Sequence, residues 1–272
     1  MRGKDFIQTF HSRHPGATTV AFGDARDARG RSSYDLLAAL ADDVPRGGEV
    51  LDVACGDGYL LQKIRERRGA EDVSLVGVDL NEAELAVARE RNVHEAAFMR
   101  ADATDLPFFE PRFDLVLCHM AFMLFDDPDA VATQIFNVLK PGGTFALVLG
   151  DGSSPDGARR RFIDLVKVAV ARFGGACPGL GTRQSRNIEE LSALLERAGF
   201  ETQHLAPLPV AIEGSPREVF TTLRLMYNFE ALTDEGRAYV EHAYFEPPAD
   251  PEELEGYRVS LIHGVFEKPP GG

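Results

Sequence analysis

Short, nearly continuous apolar runs alternate along the chain with longer stretches in which apolar residues recur every three or four positions. The runs fall at 49–54, 74–79, 97–100, 113–118 and 144–149, with two more at 201–210 and 257–266. Runs of this length without a polar face suit strands buried on both sides. Helical periodicity fills 81–91, 129–139, 158–173 and 188–198, and further helices are expected near 216–229 and 233–244. Asn81 with Glu84 three residues on is a capping-box arrangement, and Lys140-Pro141-Gly142-Gly143 is a helix stop. Strand and helix in alternation predict an α/β fold around a mostly parallel sheet. Residues 1–48 show no strand. They carry Phe6, Phe10, His11, His14, Phe22 and Tyr34 among arginines, with an amphipathic stretch at 32–41, and read as a helical cover over the sheet edge where a ligand binds. Residues 150–157 and 174–187 read as loops, and 269–272 as a frayed tail.

Composition narrows the partners. The 272 residues hold 29 basic and 43 acidic side chains, a net charge of −14. Such a chain repels phosphate backbones and anionic lipid, so neither nucleic acid nor a membrane is an expected partner. No apolar run approaches the roughly 18 residues of a membrane span, and no signal-like region follows the first six residues. Cys55, Cys118 and Cys177 are odd in number and lack CxxC spacing, which predicts reduced thiols and a cytoplasmic protein without a zinc cluster. His11 and His14 could share a helix face, but no further ligands stand at metal-binding spacing, so no metal is expected.

Candidate chemistry concentrates between Leu51 and Leu61. A buried strand runs through Asp52-Val53-Ala54-Cys55 into Gly56-Asp57-Gly58 and then a helix. Gly56 permits a backbone conformation that a Cβ disfavours, and Gly58 is expected to let a ligand approach the main chain. A dinucleotide fingerprint needs a third glycine where this chain has Leu61. Asp52 at the strand end repels a pyrophosphate but suits an ammonium group. Asp79, 21 residues after Gly58, ends the second run and can accept from both hydroxyls of a ribose. Asp102 follows the third run and can accept from an adenine amino group, with the backbone near Ala103 against the ring. Three carboxylates in register behind three strands favour S-adenosylmethionine, a cation without phosphate, over NAD.

These motifs resemble those of the class I S-adenosylmethionine-dependent methyltransferases, in particular the ubiquinone/menaquinone-type and natural-product enzymes. The resemblance covers 49–150 and includes Gly77-Val78-Asp79-Leu80, Ala101-Asp102-Ala103-Thr104-Asp105-Leu106-Pro107-Phe108 and Phe113-Asp114-Leu115-Val116; Leu194-Leu195-Glu196-Arg197-Ala198-Gly199-Phe200 matches the helix before strand six. It implies a Rossmann-like seven-stranded sheet ordered 3-2-1-4-5-7-6 with the last strand antiparallel. It divides the chain into a cover (1–48), a cosubstrate-binding core (49–150), and a segment (151–272) that adds an insertion over the acceptor and the last two strands of the same domain. Tyr34, Asp52, Ala54, Cys55, Gly56, Gly58, Tyr59, Asp79, Leu80, Asp102, Ala103, Cys118, His119 and Met123 are the cosubstrate residues it implies. His119, past the fourth strand, is a candidate general base for a hydroxyl or enol acceptor, or a contact to the methionine tail. Either His11 or His14 could enter the acceptor pocket from the cover, with His14 a second candidate catalytic residue. Phe22, Met226 and Tyr227 are candidate acceptor walls, with Glu213 and Arg183 as polar candidates. Asp151 is placed for a magnesium ion, but Asp114 opens a strand, so a metal is not expected. The implied reaction is methyl transfer to an O, N or C atom of a small molecule of secondary metabolism, by in-line displacement; the alternative is a cyclase or isomerase on the same fold that uses the cosubstrate without moving its methyl. The chain is compatible with a homodimer.

Overall fold

The computed structural model describes residues 3–69, 72–91, 93–182, 184–246 and 254–271. Helices α1 (Gly3–Arg13), α2 (Ala17–Phe22) and α3 (Ser33–Ala39) precede β1 (Gly48–Val53). Then come α4 (Tyr59–Arg68), β2 (Val73–Asp79), α5 (Glu82–Glu90), β3 (Ala96–Arg100), β4 (Phe113–His119), α6 (Pro128–Val138) and β5 (Leu139–Gly150). The remainder is α7 (Gly157–Phe173), α8 (Ile188–Arg197), β6 (Glu201–Gly214), α9 (Pro216–Leu223), α10 (Tyr227–Glu230), α11 (Asp234–Tyr244) and β7 (Glu255–Glu267).

The seven strands form one sheet in the order β3-β2-β1-β4-β5-β7-β6, as expected. β1 to β5 run parallel, and β7 lies antiparallel to both β5 and β6. Alternate residues of each central strand feed two cores. Val50, Leu115, Leu117, Ala146 and Val148 pack with Leu37, Leu61, Ile64, Phe162 and Phe220 on one face. Leu51, Val53, Val116, Phe145 and Leu147 pack with Val131, Ile135, Leu191 and Leu195 on the other. Strands covered on both faces cannot alternate apolar with polar, which is why their sequences read as unbroken apolar runs.

Two expectations shift. Residues 140–143 end α6 as predicted but continue as strand rather than loop, because Phe113 pairs with Leu139 and a bulge restores the register at Leu115. The helix expected over 216–229 breaks after Leu223, and Met226 caps a separate turn, α10. The edge strand β6 carries Pro207 and Pro209, residues an edge tolerates because one side needs no donors. The chain between α2 and α3 covers part of that edge, where Arg26 and Ala211 exchange both backbone hydrogen bonds.

A candidate cosubstrate cleft at the carboxyl ends of the strands

The parallel register sets Val53 beside Val78 and Asp79 beside Arg100, so the segments after β1, β2 and β3 emerge together. With the turn after β4 and the cover helices they line a single cleft, at the place where open α/β sheets bind ligands. The β1–α4 turn is held open by backbone geometry. Ala54 and Gly56 take left-handed φ values of 57° and 52°, and Cys55 donates to the Val78 carbonyl at 3.0 Å. The Gly56 amide donates to Asp79 Oδ2 at 2.9 Å and the Asn81 amide to Asp79 Oδ1 at 2.8 Å, which aims the carboxylate along the cleft floor.

Asp52 is buried, and its Oδ1 lacks a partner among the described residues. Burial raises its pKa well above the usual carboxylate range, with Asp79 and Asp57 adding repulsion. Burial also raises Asp79, although the amides of Asn81 and Gly56 oppose it. Leaving a buried acceptor unmatched costs about 1–3 kcal/mol. A cation in the cleft removes that cost. A Cβ built on Gly56 meets nothing closer than Glu84 Oε2 at 3.8 Å, so the turn leaves room beside these acids.

The comparisons with known proteins agree with this arrangement. The family described as "Methyltransferase domain" matches residues 50–143. A ubiquinone/menaquinone biosynthesis C-methyltransferase from Xylella fastidiosa is 32% identical over 172 residues, covering 58% of this chain and 68% of that protein. The chain belongs to the class I S-adenosylmethionine-dependent methyltransferases. The methyltransferase GfsG of Streptomyces halstedii is 31% identical over 189 residues, and the alignment spans 64% of its length. In fold, this methyltransferase is similar to a Haemonchus contortus phosphoethanolamine N-methyltransferase solved with S-adenosylhomocysteine, with a TM-score of 0.59 at 17% identity over 99% of this chain and 60% of that one. S-adenosylmethionine is the cosubstrate of that family. No helix among the described residues is long and apolar enough to cross a membrane.

Of the residues expected to meet the cosubstrate, the methyltransferase brings Tyr34, Asp52, Ala54, Cys55, Gly56, Tyr59, Asp79, Leu80, Asp102, Ala103 and His119 to the cleft wall. Asp102 already accepts from Lys4 at 2.6 Å and from the Thr104 amide and hydroxyl. Three expected residues stand elsewhere. Gly58 faces the protein: a Cβ there would lie 3.0 Å from Phe98 and 3.1 Å from Ala88. Cys118, in β4, is fully buried on the face of the sheet that packs against α6 and α8. Met123 turns away, and its carbonyl abuts Gly181 while Leu124 and Phe125 reach the cleft.

His119 is buried under the cover helices. Its Nε2 lies 2.8 Å from Ser33 Oγ and its ring stacks on Tyr34 with centroids 3.8 Å apart. Burial lowers its pKa to about 3. The imidazole is therefore neutral at physiological pH and a weak base, which runs against the general-base expectation. His14 lies outside the cleft wall, near Glu230 at 3.2 Å. His11, one helical turn away, does line the cleft and lies between Glu84 and Tyr227. The expected acceptor walls also sit off the cleft. Phe22 and Met226 pack against the core, and Tyr227 contacts Phe6 and Phe10. Glu213 borders a separate shallow depression with Glu255 and Arg258. Asp114 accepts from Lys140 at 2.7 Å and Asp151 from the Ser153 amide. Arg183 lies outside the described residues.

Sequence reasoning missed Lys4, Gln8, Thr19, Asp57 and Glu84. Glu84 was expected to cap α5, yet Asn81 alone does so, accepting from the amides of Ala83 and Glu84. The Glu84 carboxylate instead turns inward to the Gly16 amide and His11. The only signal for α1 was the recurrence of Lys4, Ile7, Gln8 and His11 at one-turn spacing.

Proposed function

We propose that this enzyme methylates an O, N or C atom of a small-molecule acceptor, and that the acids at the strand ends hold its cosubstrate. The carrying observation is the buried, unpartnered Oδ1 of Asp52 beside a turn that leaves space. Asp52 receives the ammonium group. Asp79 retains lone pairs beyond those given to Gly56 and Asn81 and accepts from the ribose hydroxyls. Leu80, Ala103 and Phe125 frame the base, with Asp102 at its edge. When bound, the cosubstrate supplies an electrophilic methyl on a sulfonium, which leaves as the neutral thioether.

The chain's own part is alignment and water exclusion. Tyr34 and His119, stacked and buried, wall the methionine end of the cleft, and Ser33 fixes the imidazole orientation. Met120 and Ala121 form the adjoining apolar wall. The similarity to small-molecule methyltransferases supports a small-molecule acceptor. Calorimetric titration tests the reading: S-adenosylhomocysteine is expected to bind and NAD to give no heat. Asp79→Ala should weaken the first at least tenfold. NAD binding without S-adenosylhomocysteine binding would overturn it.

A further inference from the structure

Helix α1 lies across the cleft with Lys4, Ile7, Gln8 and His11 on its inner face. Three groups tie it down: Lys4 to Asp102, and Asn81 Nδ2 to the Gln8 carbonyl at 2.9 Å and to Ser12 Oγ at 3.1 Å. The fourth tie is different, because it is buried and passes through the helix. His11 Nδ1 lies 2.7 Å from Glu84 Oε1, and His11 Nε2 lies 2.9 Å from the Tyr227 hydroxyl. Glu84 is 2% exposed, and its other oxygen accepts from the Gly16 amide at 2.8 Å, in the turn between α1 and α2.

Donor and acceptor rules orient the chain of bonds. A carboxylate accepts only, so Nδ1 carries the proton toward Glu84. In the neutral tautomer Nε2 then accepts from Tyr227, whose phenol stays protonated because burial raises its pKa. Glu84 belongs to the nucleotide-binding core, His11 to the cover and Tyr227 to α10. A second contact joins the same two outer elements, since Arg13 pairs with Glu230 of α10 at 3.1 Å. The cover and α10 therefore hang together on one buried carboxylate at the cleft wall.

We infer that Glu84 and Tyr227 are positioning residues for the cosubstrate: through His11 they set how α1, braced from behind by α10, closes over the cleft. The inference rests on the proposed use of that cleft. Tyr227 does not line it, so any effect of its hydroxyl on ligand affinity must travel through His11. Buried, fully paired networks of this kind hold one arrangement, and removing any member releases the rest.

A double-mutant cycle on the full chain tests the inference, with the dissociation constant of S-adenosylhomocysteine read by calorimetry and folding checked by thermal denaturation. Tyr227→Phe is expected to weaken binding about fivefold, one hydrogen bond's worth. Glu84→Gln is expected to weaken it about tenfold, and the double variant no further. Should Glu84→Gln fail to fold, His11→Gln takes its place in the cycle. Wild-type affinity in Tyr227→Phe, with or without a lowered melting temperature, would overturn the inference, as would a double variant weakened by the product of the singles. A wild-type chain that does not bind the ligand would overturn the function proposed above as well, which separates the two failures.

Discussion

The two glycines of the β1–α4 turn have left-handed φ values of 52° and 76°, yet they face opposite ways. Gly56 borders the cleft, whereas Gly58 is pressed against Phe98 and Ala88. A side chain at 58 therefore meets protein, in a conformation that β-branched residues avoid. Gly58→Val is expected to cost about 2–4 kcal/mol of stability, read from the denaturant midpoint; unchanged stability with lost ligand binding would show that the position faces the cleft after all. Nothing in the local sequence separates the two glycines, because the direction each faces depends on where β3 sets Phe98. The three carboxylates were legible, since each ends or follows a strand and the parallel register brings them together. His11 and His14 were not separable by spacing alone. Only the placement of Glu84 and Glu230 decides that the first turns inward and the second outward.

At the scale of elements, the sheet was readable because strands buried on both faces leave an apolar run with glycines or prolines at its ends. Helix α3 was expected only as an amphipathic stretch, and its capping box comes from the structure. Ser32 accepts from the Asp35 amide at 3.1 Å while Asp35 accepts from the Ser32 amide at 3.0 Å, and α3 carries both Ser33 and Tyr34 to His119. Ser32→Ala is expected to lower stability by about 1 kcal/mol. The same variant should loosen the Tyr34–His119 stack, seen as a shift of the His119 ring resonances in NMR; a lowered melting point with unmoved resonances would confine the cap's role to the helix. Two things escaped the pattern. The bounds of α1 and α2 within the cover were not read, and α2 spans only six residues, too few to set a helical period. The break after Leu223 has no proline or glycine to announce it and follows from packing of Phe220 and Phe229 on Phe162.

Over the whole molecule, charge is unevenly spent. Several surface acids pair with arginine or lysine, as Glu49 does with Arg112 and Asp129 with Arg197, whereas Asp52 and Asp79 sit unneutralised inside the cleft with raised pKa values. The sign follows directly. A carboxyl whose folded pKa exceeds its unfolded value favours folding while protonated, and this contribution is lost as pH rises through the folded pKa. An ammonium ligand reverses the preference by selecting the carboxylate. Affinity for S-adenosylhomocysteine is therefore expected to rise with pH from the acid side of the raised Asp52 titration to its alkaline side, with net proton release on binding, detectable as a heat that depends on the ionisation enthalpy of the buffer. Flat affinity and no proton release would place the ammonium away from Asp52. His119 contributes nothing to this profile, since burial keeps it neutral throughout.

The position of β7 has a consequence for biosynthesis. It follows every other strand in the chain, yet it occupies an inner lane of the sheet, paired with β5 along one side and β6 along the other. While a ribosome still holds Glu255–Glu267, the emerging polypeptide presents two unsatisfied strand borders facing an empty slot. The nascent enzyme is thus most vulnerable to aggregation just before synthesis of this segment ends, and a chaperone that shields β5 during that interval would raise the yield of folded protein more than one acting on the N-terminal helices.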